Sequence, residues 1–268
     1  MTPLRVDGTR LVSDGQAVVL RGFGLGGWMN MENFITGYAG SESQMRRALT
    51  RVLGPATAAA YFDRLLEVFF TDADAAFLSS LGVNSLRIPF NYRHFEDDDR
   101  PGEVKDDGFA LLDGVVEACA RHGIFTILDL HALPGGQNQH WHSDNPTQWA
   151  HFWSQRQFQD RVVTLWERIA DRYRGHAWVA GYNPVNEPAD AHGTQRRRLE
   201  RGAREISGEC VAVRLHDGET HAVDGDAIAI PQVAHERRGH LQTAALVAAF
   251  EALDSPCCFN QSCEHRTQ

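Results

Sequence analysis

Between Ala17 and Pro188, short apolar runs alternate with stretches of helical periodicity, and this alternation narrows the possible folds more than any other feature. The runs Val83–Phe90 (VNSLRIPF) and Ile124–Leu130 (IFTILDL) are apolar nearly throughout rather than at every second residue. That is the pattern of strands covered on both faces. A shorter run, Ala17–Leu20, leads into the glycine-rich Gly22–Gly27, and a later one spans Trp178–Val185. Helical segments are expected between them. Asp72–Leu81 has Thr71 as N-cap, Asp74 three residues on, and Gly82 as its stop. Phe109–His122 ends at Gly123. Thr147–Tyr173 ends at Gly175 and repeats Phe158, Val162, Leu165, Trp166 and Ile169 at mostly three- and four-residue steps. Strands separated by helices imply a parallel sheet with helices on its faces, an α/β fold of the (β/α)8 barrel type.

The barrel is expected to be incomplete. Four strand–helix units are consumed by Pro188, and the 80 residues that follow fall short of the roughly 100–120 that four more units would need. Composition changes at the same point: all six Trp and all five Tyr precede residue 189. The chain is therefore divided into residues 1–188, the N-terminal part of a barrel, and residues 189–268, an atypical tail. The tail could be a small subdomain, or sequence unrelated to the original fold through a frameshift or degeneration, and the composition favours the second.

Bulk properties exclude several functions. A net charge of −9 and a pI near 5.8 argue against nucleic acid or an anionic membrane as partner, and suit an uncharged substrate. No apolar run approaches the ~20 residues of a membrane span, and Met1–Gly15 lacks the apolar stretch of a signal peptide. The five cysteines match no zinc or redox spacing. A cytoplasmic protein is expected, and its oligomeric state is left open.

Polar groups gather where strands end, which is the face on which parallel barrels build their sites. The first strand leads to Trp28, Asn30 and Glu32, the second carries Arg87, the third ends in His131, and the fourth delivers Asn186 and Glu187 ahead of Pro188. Each has a plainer structural reading. Arg87 could pair with a buried acid such as Asp129, and His131 could be a satisfied core histidine. His131, His140 and His142 could suggest zinc, but the HWH loop lacks a matching carboxylate, so no metal is expected. Gly24–Gly27 does not have the GxGxxG pattern of a dinucleotide site. For Glu187, placed at the close of a buried strand, the functional reading is favoured.

The segments LRGFGLGGWMNMENFITGY, LRIPF, LDLHALPGGQN and NPVNEP follow one another across residues 20–188. In that order they resemble glycoside hydrolase family 5, in particular its exo-β-1,3-glucanase and β-glucosidase-like branches. The resemblance implies hydrolysis of β-glucosidic bonds in glucans or β-glucosides with retention of configuration. Glu187 would be the general acid/base, and Asn186 would hydrogen-bond the sugar 2-hydroxyl. Arg87 would hold the second carboxylate ionised, and His131 would donate to a sugar hydroxyl. Glu32 and Asn138 would bind the terminal sugar, and Trp141 would stack on a sugar ring. A general acid must keep its proton at neutral pH, so the pKa of Glu187 is expected to be raised. No cofactor is implied, since two carboxylates complete the reaction. The second carboxylate, which in the family lies in an apolar-Glu-aromatic-Gly motif on the seventh strand, has no counterpart among the glutamates from Glu200 to Glu264. The family's His/Tyr pair on the sixth strand and Trp on the eighth are absent as well. An inactive derivative, at most a carbohydrate-binding remnant, is the alternative.

Overall fold

The computed structural model describes residues 2–189. The chain begins with an antiparallel meander of β1 (Arg5–Asp7), β2 (Arg10–Ser13) and β3 (Gln16–Val18). Its second turn places Asp14 and Gly15 at φ 49° and 75°, and Thr2 exchanges two 2.8 Å hydrogen bonds with Asp14 that pin the turn. Leu4, Leu11 and Leu20 from this region pack in one buried cluster with Phe125, Ile127 and Ala180. The meander thereby seals the end of the parallel sheet at which its strands begin.

That sheet contains β4 (Gly22–Gly24), β5 (Ser85–Asn91), β6 (Phe125–Ala132) and β7 (Val179–Asn183), parallel and adjacent in chain order. Four helices, α1 (Asn33–Thr36), α2 (Glu42–Leu53), α3 (Pro55–Val68) and α4 (Asp72–Ser80), separate β4 from β5. Each later crossover contains one α-helix, α5 (Asp107–Arg121) and then α6 (Arg156–Arg172), beside short 3-10 turns. Every residue of β6 is buried, as the continuous apolar run requires.

Alternation along the strands divides labour between the two faces. Leu86, Ile88, Phe90, Leu128 and Leu130 join the large core with helix residues such as Leu112, Val116, Val162 and Ile169. The opposite face is apolar at its base, through Phe125 and Ile127, and polar higher up, through Arg87, Asp129 and His131. Trp166 anchors the helical side. It is 1% exposed, lies edge-to-face with Tyr182 at 5.7 Å, and donates its indole N–H to the Pro184 carbonyl at 3.1 Å. Burying a side chain of this size stabilises the fold by about 3 kcal/mol.

Several expectations hold closely. Thr71 and Asp74 form the reciprocal capping box of α4, and Gly82 and Gly123 adopt the positive φ that ends a helix, at 83° and 74°. Others need correction. The Ala17–Leu20 run belongs largely to the meander, and the first parallel strand is the three-residue β4 that follows. The side chain of Asn84 clips the connection, accepting from the Arg21 N–H at 2.6 Å and donating to the Val19 carbonyl at 2.9 Å. Helix α6 starts at Arg156, not Thr147, because Asn145 and Thr147 turn the chain by local bonds. Asn145 Nδ2 donates to the Trp149 carbonyl at 2.9 Å, and the Thr147 hydroxyl donates to Asn145 Oδ1 at 2.7 Å. The helices α2 and α3 have no counterpart among the expected elements. The strand leading to Glu187 closes at Asn183, before Pro184, so Glu187 stands in the loop beyond it with φ 42°. Among the described residues no helix is long and apolar enough to cross a membrane. The expected tail, residues 189–268, lies outside the described residues except for Ala189.

Candidate active site

The parallel register delivers Arg87 from β5, Asp129 and His131 from β6, and Asn186 and Glu187 from the loop after β7 to the same end of the sheet. Asp129 is fully buried and serves as their common anchor. Its Oδ2 lies 3.0 Å from Arg87 Nη2 and 2.6 Å from His131 Nδ1. Arg87 also donates to Asn186 Oδ1, which fixes the amide and turns its Nδ2 toward His131 Nε2 at 3.3 Å. The same His131 nitrogen is 3.5 Å from Glu32 Oε1. Burial opposes a charge on His131, but the Asp129 carboxylate, with help from Glu32, outweighs it and pushes the pKa up to about 9. The pairing of Arg87 with Asp129, weighed above as a structural possibility, is thus present.

A second group is built by the loop after β6. Gln137 Nε2 donates to the carbonyls of His131 at 2.7 Å and Asn186 at 3.0 Å, tying this loop to the one after β7. Asn138 adds to the tie: its Nδ2 donates to the Glu187 carbonyl at 2.8 Å, and its Oδ1 accepts from the His140 N–H at 2.9 Å. The side chain expected to bind sugar is therefore occupied in holding the two loops together. Glu187 itself is 44% exposed at the side chain, and its Oε2 lies 2.8 Å from His142 Nε2. That contact holds its carboxyl below the usual carboxylate range, against the burial that would raise it, with the charges of His131 and Arg87 acting in the same sense. This reverses the raised pKa expected from the sequence. Among the described residues, the neighbours that reach Glu187 are donors and cations rather than a second acid.

The remaining expected residues separate into two sets. Glu32 and Trp141 border the site: the Glu32 side chain is 14% exposed beside His131, and Trp141 is 41% exposed next to His142. Trp28 and Asn30, in contrast, are buried and structural. Trp28 donates to the Leu66 carbonyl at 2.9 Å, and Asn30 Nδ2 donates to the His142 carbonyl at 3.2 Å. His140 and His142 are stacked, with ring planes 22° apart, instead of converging on a common point. Sequence reasoning passed over Gln137 and treated His142 only as a metal candidate. The available signal was its place in a loop rich in amides and histidines that directly follows a strand-end His.

The family model for cellulase, glycosyl hydrolase family 5, matches residues 61–214, which include Arg87, His131 and Glu187. A β-xylosidase of Phanerodontia chrysosporium is 59% identical over 196 residues, covering 73% of this chain and 41% of that protein. A probable glucan 1,3-β-glucosidase A of Emericella nidulans is 32% identical over 188 residues, 68% of this chain and 45% of its own length. The chain thus spans under half the length of these curated relatives. Among solved structures, a rutinosidase from Aspergillus niger superposes with a TM-score of 0.56 at 18% identity, covering 71% of this chain and 59% of that one. An endogalactoceramidase gives 0.55 at 16% identity, covering 78% and 50%. These likenesses identify the sheet as part of a (β/α)8 barrel. Since the family model spans more than half of the sequence and takes in the strand-end groups described above, the chain belongs to glycosyl hydrolase family 5.

Proposed function

We propose that the chain is a glycoside hydrolase acting on β-glucosidic bonds of glucans or β-glucosides, with retention of configuration and with Glu187 as general acid/base. The observation that carries this reading is the half-exposed Glu187 carboxyl, placed directly after Asn186 and within the field of Arg87, His131 and His142. In the proposed reaction Glu187 protonates the departing oxygen while a second carboxylate, whose motif is not found in this chain, bonds to the anomeric carbon; after the aglycone leaves, Glu187 takes a proton from the water that displaces that carboxylate. Asn186, oriented by Arg87, faces the sugar 2-hydroxyl. His131 and Glu32 contact neighbouring hydroxyls, Asn138 supports the terminal-sugar site, and Trp141 supplies a stacking face. The names of the relatives support this substrate class, and the β-xylosidase among them makes a β-xyloside the natural second substrate to assay.

The decisive experiment is hydrolysis of nitrophenyl β-glucoside and β-xyloside by the purified chain and by Glu187→Gln. The substitution keeps the size and one acceptor oxygen of the side chain but removes the proton it would donate. Turnover by the parent, abolished in the variant, is the expected result; equal turnover in both defeats the assignment. No turnover by the parent favours the second reading, an inactive derivative. That reading is motivated by the missing apolar-Glu-aromatic-Gly motif in residues 189–268 and by their proposed status as an atypical tail.

A further inference from the structure

Resting on that assignment of Glu187, we propose that His142 is a positioning residue for the acid/base: its imidazole holds the carboxyl in place and exchanges the working proton with it across their 2.8 Å contact. The argument begins with Asn138. The orientation of its amide is fixed twice by main-chain partners, because Oδ1 accepts from the His140 N–H and Nδ2 donates to the Glu187 carbonyl. The second hydrogen on Nδ2 is consequently directed at His142 Nε2, 2.9 Å away. Nε2 therefore faces a permanent donor on one side and the Glu187 carboxyl on the other.

One nitrogen can satisfy these neighbours in two ways. With a hydrogen on Nε2, it donates to the Glu187 carboxylate, and the Asn138 N–H is left facing another donor. With Nε2 bare, its single lone pair is shared between the Asn138 N–H and the O–H of a protonated Glu187. Proton movement from Nε2 to Oε2 converts imidazolium and carboxylate into neutral imidazole and carboxylic acid, with no other bond made or broken. Asn138 weakens the preference for the first arrangement and so keeps within reach the second, in which Glu187 holds the proton a general acid needs. The other ionisable groups facing the pair are His131 with Asp129, Glu32, Arg87, and His140 stacked on His142, with Asp144 two residues further along the loop. His142 is itself held in register through its carbonyl, which accepts from Asn30.

The test uses the full chain labelled with 13C at glutamate carboxyls and 15N at imidazoles, and follows both signals by NMR through a pH series. In the parent, the His142 Nε2 signal should move together with the Glu187 carboxyl in one coupled step. That step should vanish from the His142 signal in Glu187→Gln, and the Glu187 midpoint should shift upward in His142→Gln. A Glu187 midpoint unchanged in His142→Gln, or a His142 signal indifferent to Glu187→Gln, overturns the proposal. Glu187→Gln leaves the bonds of Asn30 to the His142 carbonyl and of Asn138 to the residue 187 carbonyl intact, so its readout does not depend on the folding of His142→Gln. Neither readout needs turnover. Failure here is thus distinguishable from failure of the acid/base assignment, which the hydrolysis assay judges separately.

Discussion

Replacing Asp129 with asparagine removes the charge around which Arg87, His131 and Asn186 are arranged, while keeping an oxygen that can accept from His131. In the native chain the buried His131 has a pKa of about 9, against 6.5 for an unperturbed imidazole, chiefly because Asp129 more than offsets its desolvation. A group whose pKa is higher folded than unfolded stabilises the native state most at low pH. The contribution is complete below pH 6.5 and is lost as the pH rises through 9. The gap between the two values corresponds to about 3 kcal/mol. Urea unfolding of the parent at pH values from about 6 to about 10 should therefore show a stability loss of this order, steepest between the two pKa values. Asp129→Asn should lose little over the same range and should be less stable than the parent near neutrality, where the parent still carries the His131–Asp129 pair. Parallel pH slopes for the two proteins would refute the assignment of the imidazolium to His131.

Arg161 bonds the buried Glu96 through Nε and reaches Asp98 at 2.9 Å, joining α6 to the loop after β5. Arg161→Met should cost about 3–5 kcal/mol by leaving Glu96 buried and unpaired, as read by the urea midpoint. Adding Glu96→Gln should recover much of the loss, since the glutamine still accepts from the Gly102 N–H, and no recovery would count against an electrostatic cause. A Cβ on Gly22 would stand 1.8 Å from the Ser85 carbonyl oxygen, a main-chain atom that no rotamer change can move. Gly22→Ala should therefore force β4 away from β5, destabilise the chain by about 3 kcal/mol, and speed exchange of the Leu25 N–H now bonded to the Arg87 carbonyl; unaltered exchange would contradict it.

The strands and helices easiest to find in the sequence are those whose signals are local and redundant. Periodicity, the Thr71–Asp74 box and the glycines at 82 and 123 all agree on α4, α5 and the two long central strands. The short β4 escaped because three residues of Gly-Phe-Gly carry no alternation, and its pairing depends on the close approach of Gly22 to β5. The start of α6 was misplaced because periodicity cannot register the side-chain bonds of Asn145 and Thr147, which outcompete helix formation locally. In the site, residue type pointed to Arg87, His131, Asn186 and Glu187, since each sits at or just beyond a strand end. The ionisation of Glu187 could not be read in the same way. It depends on His142, which lies 45 positions earlier in the chain and meets the acid only when two loops are folded together.

Gln137 and Asn138 have a consequence for how such a site can change. By fastening successive connections main chain to side chain, they make the neighbourhoods of His131 and Glu187 a single mechanical part. An insertion that reshapes the loop after β6 will displace Glu187 in the loop after β7. Change is therefore easiest in segments these two side-chain amides do not touch, such as the stretch around Trp149 or the helical excursion between β4 and β5.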